Sequence, residues 1–284
     1  MEQARPSHTA LRVAMRRAAH QLYDARPLVF DDPLAVAILG SHAAEVERTP
    51  GRNPEHKPRP FSIGLRAFLV ARSRYAEDLL AHAVERGVEQ YVLLGAGLDT
   101  FAHRNPYPAL RVFEVDHPAT QLWKRELISD GSLPVPANLT YVPVDFEQQS
   151  LANQLRVAGF NTTQPTFFAW LGVVPYLTLD AFRATLAFIS SQPPGSGIVF
   201  DYGQPRAVLT PNEQLAHDSL ASRVQLAGEA FRLFFTPAEI AVELAAFRNI
   251  EDIGSAEINP RYFAARSDGL KIMGSAGRLL SAWL

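Results

Sequence analysis

Glycines and carboxylates at the ends of short apolar runs carry the chemistry that this chain offers. Tyr91-Val92-Leu93-Leu94 breaks at Gly95-Ala96-Gly97-Leu98-Asp99-Thr100, and the next run, Val112-Phe113-Glu114-Val115, ends in Asp116. Glycines at such a turn let backbone N–H groups approach a ligand closely. An acid about 20 residues on, at the tip of the second strand, is placed to grip the ribose hydroxyls of a nucleotide-type cofactor. Two further runs end in acids, Thr140–Val144 before Asp145-Phe146 and Ile198–Phe200 before Asp201-Tyr202. The turn lacks the third glycine of the dinucleotide pattern. Its plainer alternative is a bare strand-to-helix turn, with Asp116 and Asp145 as helix N-caps and Asp99 or Thr100 capping the next helix.

Those residues need strands that deliver them to one edge. Five apolar runs (the fourth is Thr166–Val173) alternate with helical patterns at His117–Ser129, Leu151–Ala158 and Leu179–Ser190. Alternation of this kind predicts an α/β, doubly wound, mostly parallel sheet of Rossmann-like form, with ligands at the strands' C-terminal tips. Asn249–Ile253 and Arg278–Leu284 read as closing strands, giving seven. Ahead of the sheet come helices over Thr9–Tyr23, capped by Ser7 or Thr9, over Asp31–Leu39, and over Phe61–Arg86. The proline-rich segment Thr49–Pro60 between them reads as a surface loop and a lid. Pro205–Phe235 is helix-like, and Thr236-Pro237-Ala238-Glu239 has the form of a capping box opening a helix to Phe247. The expectation is one domain: a helical cap and lid over 1–88, a cofactor-binding core over 89–204, a helical insertion over 205–247, and closing strands over 248–284.

Composition sets limits on partners. The chain has 284 residues, 47% of them hydrophobic and 20% charged, with a net charge of −2 and no cysteine. That balance carries no electrostatic mark of nucleic-acid or membrane binding. Without cysteine there is no thiolate metal site, disulfide framework or cysteine nucleophile. No His pair has metal-ligand spacing and no Gly-x-Ser-x-Gly elbow occurs. No 18-residue apolar stretch or signal-peptide core is present. A cytoplasmic protein with a small-molecule partner is expected; nothing specifies an oligomeric state.

The segments Gln90–Thr100, Phe113-Glu114-Val115-Asp116-His117-Pro118, Val144-Asp145-Phe146 and Trp170-Leu171-Gly172-Val173-Val174-Pro175-Tyr176-Leu177 together resemble the motif series of the leucine carboxyl methyltransferase family, S-adenosylmethionine-dependent O-methyltransferases. The resemblance runs from about Thr9 to Asp201. It implies S-adenosyl-L-methionine as cofactor, with Gly95, Ala96 and Gly97 against its methionine part, Asp116 on the ribose hydroxyls, and Asp145 and Phe146 flanking the adenine. It further implies that Arg72, with Arg74 as rival, holds the cofactor carboxylate and that Arg17 is the basic residue of the first helix; guanidinium forks suit a carboxylate. Leu171 departs from the pattern, which usually has an acid there, so its contacts reduce to backbone and packing.

Tyr176 and Tyr202, just past strand tips, are candidates to meet the acceptor. The absence of an obvious general base fits a carboxylate acceptor, already ionised at neutral pH, whereas a hydroxyl acceptor would need one. The acceptor pocket should be walled by 49–60 and 205–235, which hold Arg59, Arg206, Arg223 and Arg232 and suit an anionic, partly aromatic or acyl substrate. Two other readings stand beside this one: a nicotinamide-dependent oxidoreductase on a similar sheet, and a catalytically silent ligand-binding protein of the same fold.

Overall fold

The central strands of this chain are buried at nearly every position rather than at alternate ones, because helices cover both faces of the sheet. The computed structural model describes residues 6–48, 60–145 and 149–284. Its seven strands are β1 (Gln90–Leu94), β2 (Arg111–Asp116), β3 (Leu139–Pro143), β4 (Thr166–Trp170), β5 (Gly197–Gly203), β6 (Arg248–Ile253) and β7 (Gly277–Trp283). They form one sheet in the order β3-β2-β1-β4-β5-β7-β6. The first five are parallel and β7 runs antiparallel between β5 and β6. The order reverses between β1 and β4, the switch point at which a crevice opens beyond the strand tips.

Among the described residues, ten α-helices accompany the sheet: α1 (His8–Tyr23), α2 (Ala43–Arg48), α3 (Pro60–Glu85), α4 (Phe101–Arg104), α5 (Pro118–Asp130), α6 (Leu151–Val157), α7 (Leu179–Ser190), α8 (Pro211–Leu226), α9 (Pro237–Glu243) and α10 (Ser255–Tyr262). Alternate residues of β1 enter different cores. Tyr91 and Leu93 pack with Ala67, Val70, Ala71 and Tyr75 of α3 and Ile258 of α10. Val92 and Leu94 pack with Leu155 of α6, Phe182 and Leu186 of α7, and Ile240 of α9. A third, smaller core joins Ala14 and Ala18 of α1 to Ile38, Leu39, Val46 and Leu127, and it fixes the helical cap to the sheet. Among the described residues no helix is long and apolar enough to cross a membrane.

Several expected elements shift. The helix expected over 31–39 is a turn followed by a 3₁₀ helix, Ala37–His42, because Gly40 adopts φ 52° and breaks the helical path. The helix-like stretch 205–235 holds a 3₁₀ turn at Arg206–Val208 and an α-helix over Pro211–Leu226; from 229 to 236 the chain has no regular structure. α10, which carries Pro260 inside it, was not expected; the Glu257 carboxylate accepts from the Gly254 N–H (2.8 Å) and secures its start. β4 ends at Trp170, short of Val173. The lid expected over 49–60 lies outside the described residues save for its last residue, where α3 begins.

Candidate functional site

The strand tips are stitched together by backbone hydrogen bonds. Gly95 and Ala96 donate to the Val115 carbonyl (2.8 and 3.0 Å), and Val144 donates to the Asp116 carbonyl (2.8 Å). The Asp116 carboxylate accepts from the Gly97 N–H and from its own neighbour, His117 (2.7 Å). Gly95, Gly97, Asp116 and Asp145 therefore stand at the adjacent tips of β1, β2 and β3. Burial raises the Asp116 carboxyl above its ordinary range, although the N–H groups of Gly97 and His117 partly oppose this. Gly95 has φ 69°, and a Cβ there would sit 2.4 Å from Cγ2 of Val173, so the loops after β1 and β4 touch backbone to side chain. Only glycine satisfies both demands.

Beneath this loop lies a network of buried charge. Arg17, reaching across from α1, donates to the Leu98 carbonyl (2.5 Å) and approaches Asp99 (3.4 Å) and Asp32 (3.8 Å). Lys124 of α5 donates to the Asp99 carbonyl (2.6 Å) and to Glu114 (2.7 Å), both members of the Lys124–Glu114 pair being only 1% exposed. Thr100 donates to Asp32 (2.8 Å), and Arg104 joins Asp32 to Glu77 (Nη1–Oε2, 2.8 Å). Burial alone would raise the Asp99 carboxyl, yet the cations of Arg17, Lys124 and Arg104 outweigh it and hold the group below its ordinary range. Glu114 ends the other way: burial prevails over Lys124 and its carboxyl is raised. The expected capping by Asp99 is present, its carboxylate accepting from Phe101 N–H (2.7 Å) at the start of α4.

On the other side of the switch point, Arg72 of α3 is 7% exposed and donates to Asp201 at the tip of β5 (3.0 Å). The second oxygen of Asp201 accepts from the Gly172 N–H (2.5 Å). Gly172 has φ 71°, and a Cβ on it would lie 2.8 Å from the Arg72 guanidinium, so the turn after β4 is moulded to that arginine. Leu171 packs against the α3-side core, and the carboxylate at this turn comes from the neighbouring strand instead. Arg74 points elsewhere: it pairs with Asp78 (2.7 Å) and is half exposed.

Tyr176 joins this group. Its hydroxyl lies within reach of Thr9 of α1, and close enough to Glu229, Arg72 and Asp201 to feel their charges; burial pushes its phenol up to about 12. Glu229 accepts from the first N–H groups of α1, His8 (3.0 Å) and Thr9 (3.1 Å). Arg232 and Leu233 N–H donate to the Pro175 carbonyl (2.7 and 3.2 Å), Phe235 N–H donates to the Gly203 carbonyl (3.0 Å), and Phe231 packs on Tyr176. The irregular stretch 229–236 is thus tied to α1 and to the tips of β4 and β5.

The structure brings together Gly95, Ala96, Gly97, Asp116 and Asp145 on one flank and Arg72, Leu171 and Tyr176 on the other. It does not bring Tyr202 to them. Side chains of a strand alternate in direction, so Tyr202 leaves β5 opposite Asp201, is 1% exposed among Phe200 and Phe235, and donates its hydroxyl to Asp252 (2.8 Å). Arg17 serves the glycine loop from beneath. Phe146 lies outside the described residues. Sequence reasoning passed over Asp201, Lys124 and Glu229 as functional positions. The acid after the fifth apolar run was visible for Asp201; nothing local marks the other two, whose partners lie far away in sequence.

These residues fit an adenosyl cofactor with an amino-acid tail. Two left-handed glycines leave the cradle free of side chains, a buried carboxylate aligned with backbone N–H groups suits a diol, and a buried guanidinium suits a carboxylate. Asp201 adds an acceptor for an ammonium group beside that guanidinium.

Comparison with known families matches residues 10–190 to leucine carboxyl methyltransferase. YktD of Bacillus subtilis (strain 168), named as a candidate S-adenosyl-L-methionine-dependent methyltransferase, is 33% identical over 292 residues, 95% of each chain. A candidate methyltransferase of Thermobifida fusca YX superposes with TM-score 0.59 at 18% identity, over 99% of this chain and 96% of that one. A DUF574 family protein of Streptomyces avermitilis MA-4680 superposes with TM-score 0.57 at 16% identity, over 98% and 97%. Both structural likenesses concern the fold.

Proposed function

The chain belongs to the leucine carboxyl methyltransferase family, and from that premise we propose that it transfers a methyl group from S-adenosyl-L-methionine to an oxygen of a small-molecule acceptor, a carboxylate by preference, in the cytoplasm. The observation that carries this reading is the pairing of the Gly95–Gly97 turn with the Asp116 carboxylate at the β1/β2 tips. Bound there, the cofactor supplies an electrophilic methyl carbon: the acceptor oxygen forms the new bond as the carbon–sulfur bond breaks, leaving S-adenosylhomocysteine.

Every other task falls to the chain. Asp116, ionised, accepts from ribose hydroxyls; the glycine turn lets backbone approach the methionine part. Arg72 holds the cofactor carboxylate while Asp201 fixes the guanidinium plane, and Asp145 with Phe146 flanks the adenine. Arg17 acts at one remove, holding the Leu98 carbonyl. Tyr176, whose phenol is pushed up to about 12, stays protonated at neutral pH and serves as a hydrogen-bond donor rather than a base. A carboxylate acceptor needs no proton removed, so alignment and exclusion of water suffice.

Isothermal titration with S-adenosylhomocysteine tests the reading. Wild-type protein should bind, and Asp116→Ala should bind roughly 10- to 100-fold more weakly, the loss of charge-assisted hydrogen bonds to two hydroxyls. Negligible heat with wild type, or equal affinity in the variant, sinks the assignment.

A further inference from the structure

One flank of α1 carries positive charge that the cofactor site leaves unused. Thr9, Val13 and Arg16 fall on a common stripe of the helix, with Arg12 at its margin. Thr9 is the residue that meets Tyr176, so this stripe faces the acceptor side, whereas Ala10 and Arg17 face the glycine loop. The end of α8 is held beside α1 by the Glu229 carboxylate on His8 and Thr9, which brings Arg223 of its last turn to the same flank. Arg66 of α3 completes the group.

These arginines have little to neutralise them. Arg66 is paired with Asp24 through two bonds (2.9 and 2.7 Å). Among the described residues, Arg12, Arg16 and Arg223 form no ion pair; Arg16 donates to the Arg12 carbonyl (3.0 Å) and Arg223 to the Ser219 carbonyl (3.0 Å). Burial first, and then the charges of Arg12, Arg223 and Arg66, lower the Arg16 guanidinium to about 10. By contrast, Arg74 is matched to Asp78 one turn along its helix and Arg206 to Asp218 of α8. Among the described residues, like charge left unpaired on two neighbouring helices, Arg12 and Arg16 of α1 and Arg223 of α8, is costly unless an anion is seated there.

We propose that the methyl acceptor is at least dianionic: besides the oxygen that receives the methyl group, it carries a second anionic group, remote from the first, that docks on Arg16 with Arg12, Arg66 and Arg223. This rests on the methyltransferase reading and adds the substrate class to it. Arg16 then sets specificity by binding the far end of the acceptor and touches neither the cofactor nor the reacting atoms.

The test uses S-adenosyl-[methyl-³H]methionine and straight-chain dicarboxylates from succinate to sebacate, each against its monomethyl ester. Matching phosphonocarboxylates separate a carboxylate from a phosphate-type group as the second anion. Wild type should label the best dianion about tenfold or more in preference to its half-ester, the contribution of one charge-assisted pair. Arg16→Met should erase most of that preference through KM, with kcat nearly unchanged and S-adenosylhomocysteine affinity within about twofold by titration. Arg223→Met, on a separate helix, should do the same to a smaller degree and guards against a folding defect in α1. Equal or better labelling of half-esters by wild type, no labelling of any dianion, or a preference that survives Arg16→Met overturns the proposal. A wild-type protein that binds no S-adenosylhomocysteine overturns this proposal and the methyltransferase reading together, whereas normal binding with any of those outcomes overturns this one alone.

Discussion

The two flanks of the crevice handle charge in opposite ways. Around the glycine loop, Arg17, Asp32, Glu77, Asp99, Arg104, Glu114 and Lys124 are paired with one another, and cations and carboxylates alternate through the interior. Along the acceptor flank of α1, arginines gather with carboxylates at their edges only. A region that must hold a fixed cofactor can satisfy its polar groups internally and become rigid. A region that must admit and release a substrate leaves part of its hydrogen-bonding capacity for that substrate.

The sharpest way to break the contrast is to remove one member of the interior network. Lys124→Met leaves Glu114 buried without its cation and should destabilise the protein by about 3–5 kcal/mol, read as a lower denaturant midpoint at unchanged slope. Pairing it with Glu114→Leu should recover much of that loss, since an apolar pair does not carry the desolvation cost. If the single variant is as stable as wild type, the loop does not depend on that pair. Arg12→Met on the acceptor flank should change stability by well under about 1 kcal/mol.

Acidification gives the next largest effect. The Asp116 carboxyl is raised by burial, so affinity for S-adenosylhomocysteine is full above that raised value and falls as pH drops through it, starting above the usual carboxylate range of about 4. The slope should approach tenfold per pH unit at its steepest and vanish in Asp116→Asn. Titration calorimetry across mildly acid pH measures it; an affinity flat down to the ordinary carboxylate range contradicts the assignment of Asp116.

Glu213 supplies the smallest effect. It accepts from Thr210 N–H (2.9 Å) at the start of α8 and from the Ser275 hydroxyl (2.9 Å), and although burial opposes them, these bonds lower its carboxyl to about 2. A depressed carboxyl contributes stability that is present above its unfolded value of about 4.5 and is lost as pH falls towards 2. Glu213→Ala should therefore lower stability by about 0.5–1 kcal/mol at neutral pH given solvent screening, seen as a slightly lower Tm, and not at pH near 2. A variant whose deficit persists at that pH shows that Glu213 acts through packing alone.

The sheet was legible because its runs are long, apolar and regularly spaced. Residues 179–190 and the flanks of β1 and β2 coincide with their expected limits to within a residue or two. Likewise the candidate residues that sit on strand tips, Gly95, Asp116 and Asp145, stood out by their place after an apolar run. What escaped was what depends on distant partners. Lys124 looks like any helical lysine until Glu114 is seen beneath it, and Tyr202 looks like a pocket residue until β6 brings Asp252 against its hydroxyl. Arg17 was expected from its type, but which anion or carbonyl it serves is decided by how α1 crosses the loop. Gly40 does interrupt the helical path after Leu39, as its type suggests, whereas α10, with Pro260 inside it, was not expected at all.

The clasp of Glu229 on the first N–H groups of α1, with Arg232 and Leu233 on Pro175 and Phe235 on Gly203, governs how this enzyme can be re-engineered. Exchanging 229–236 alone for a stretch of different length and without Glu229 would strip α1 of its N-terminal anion and shift the backbone donors that hold the β4 turn. A transplant intended to alter acceptor choice should carry His8–Arg16, Val173–Leu177 and 223–236 as one cassette, because those three pieces are a single mechanical unit despite lying far apart along the chain.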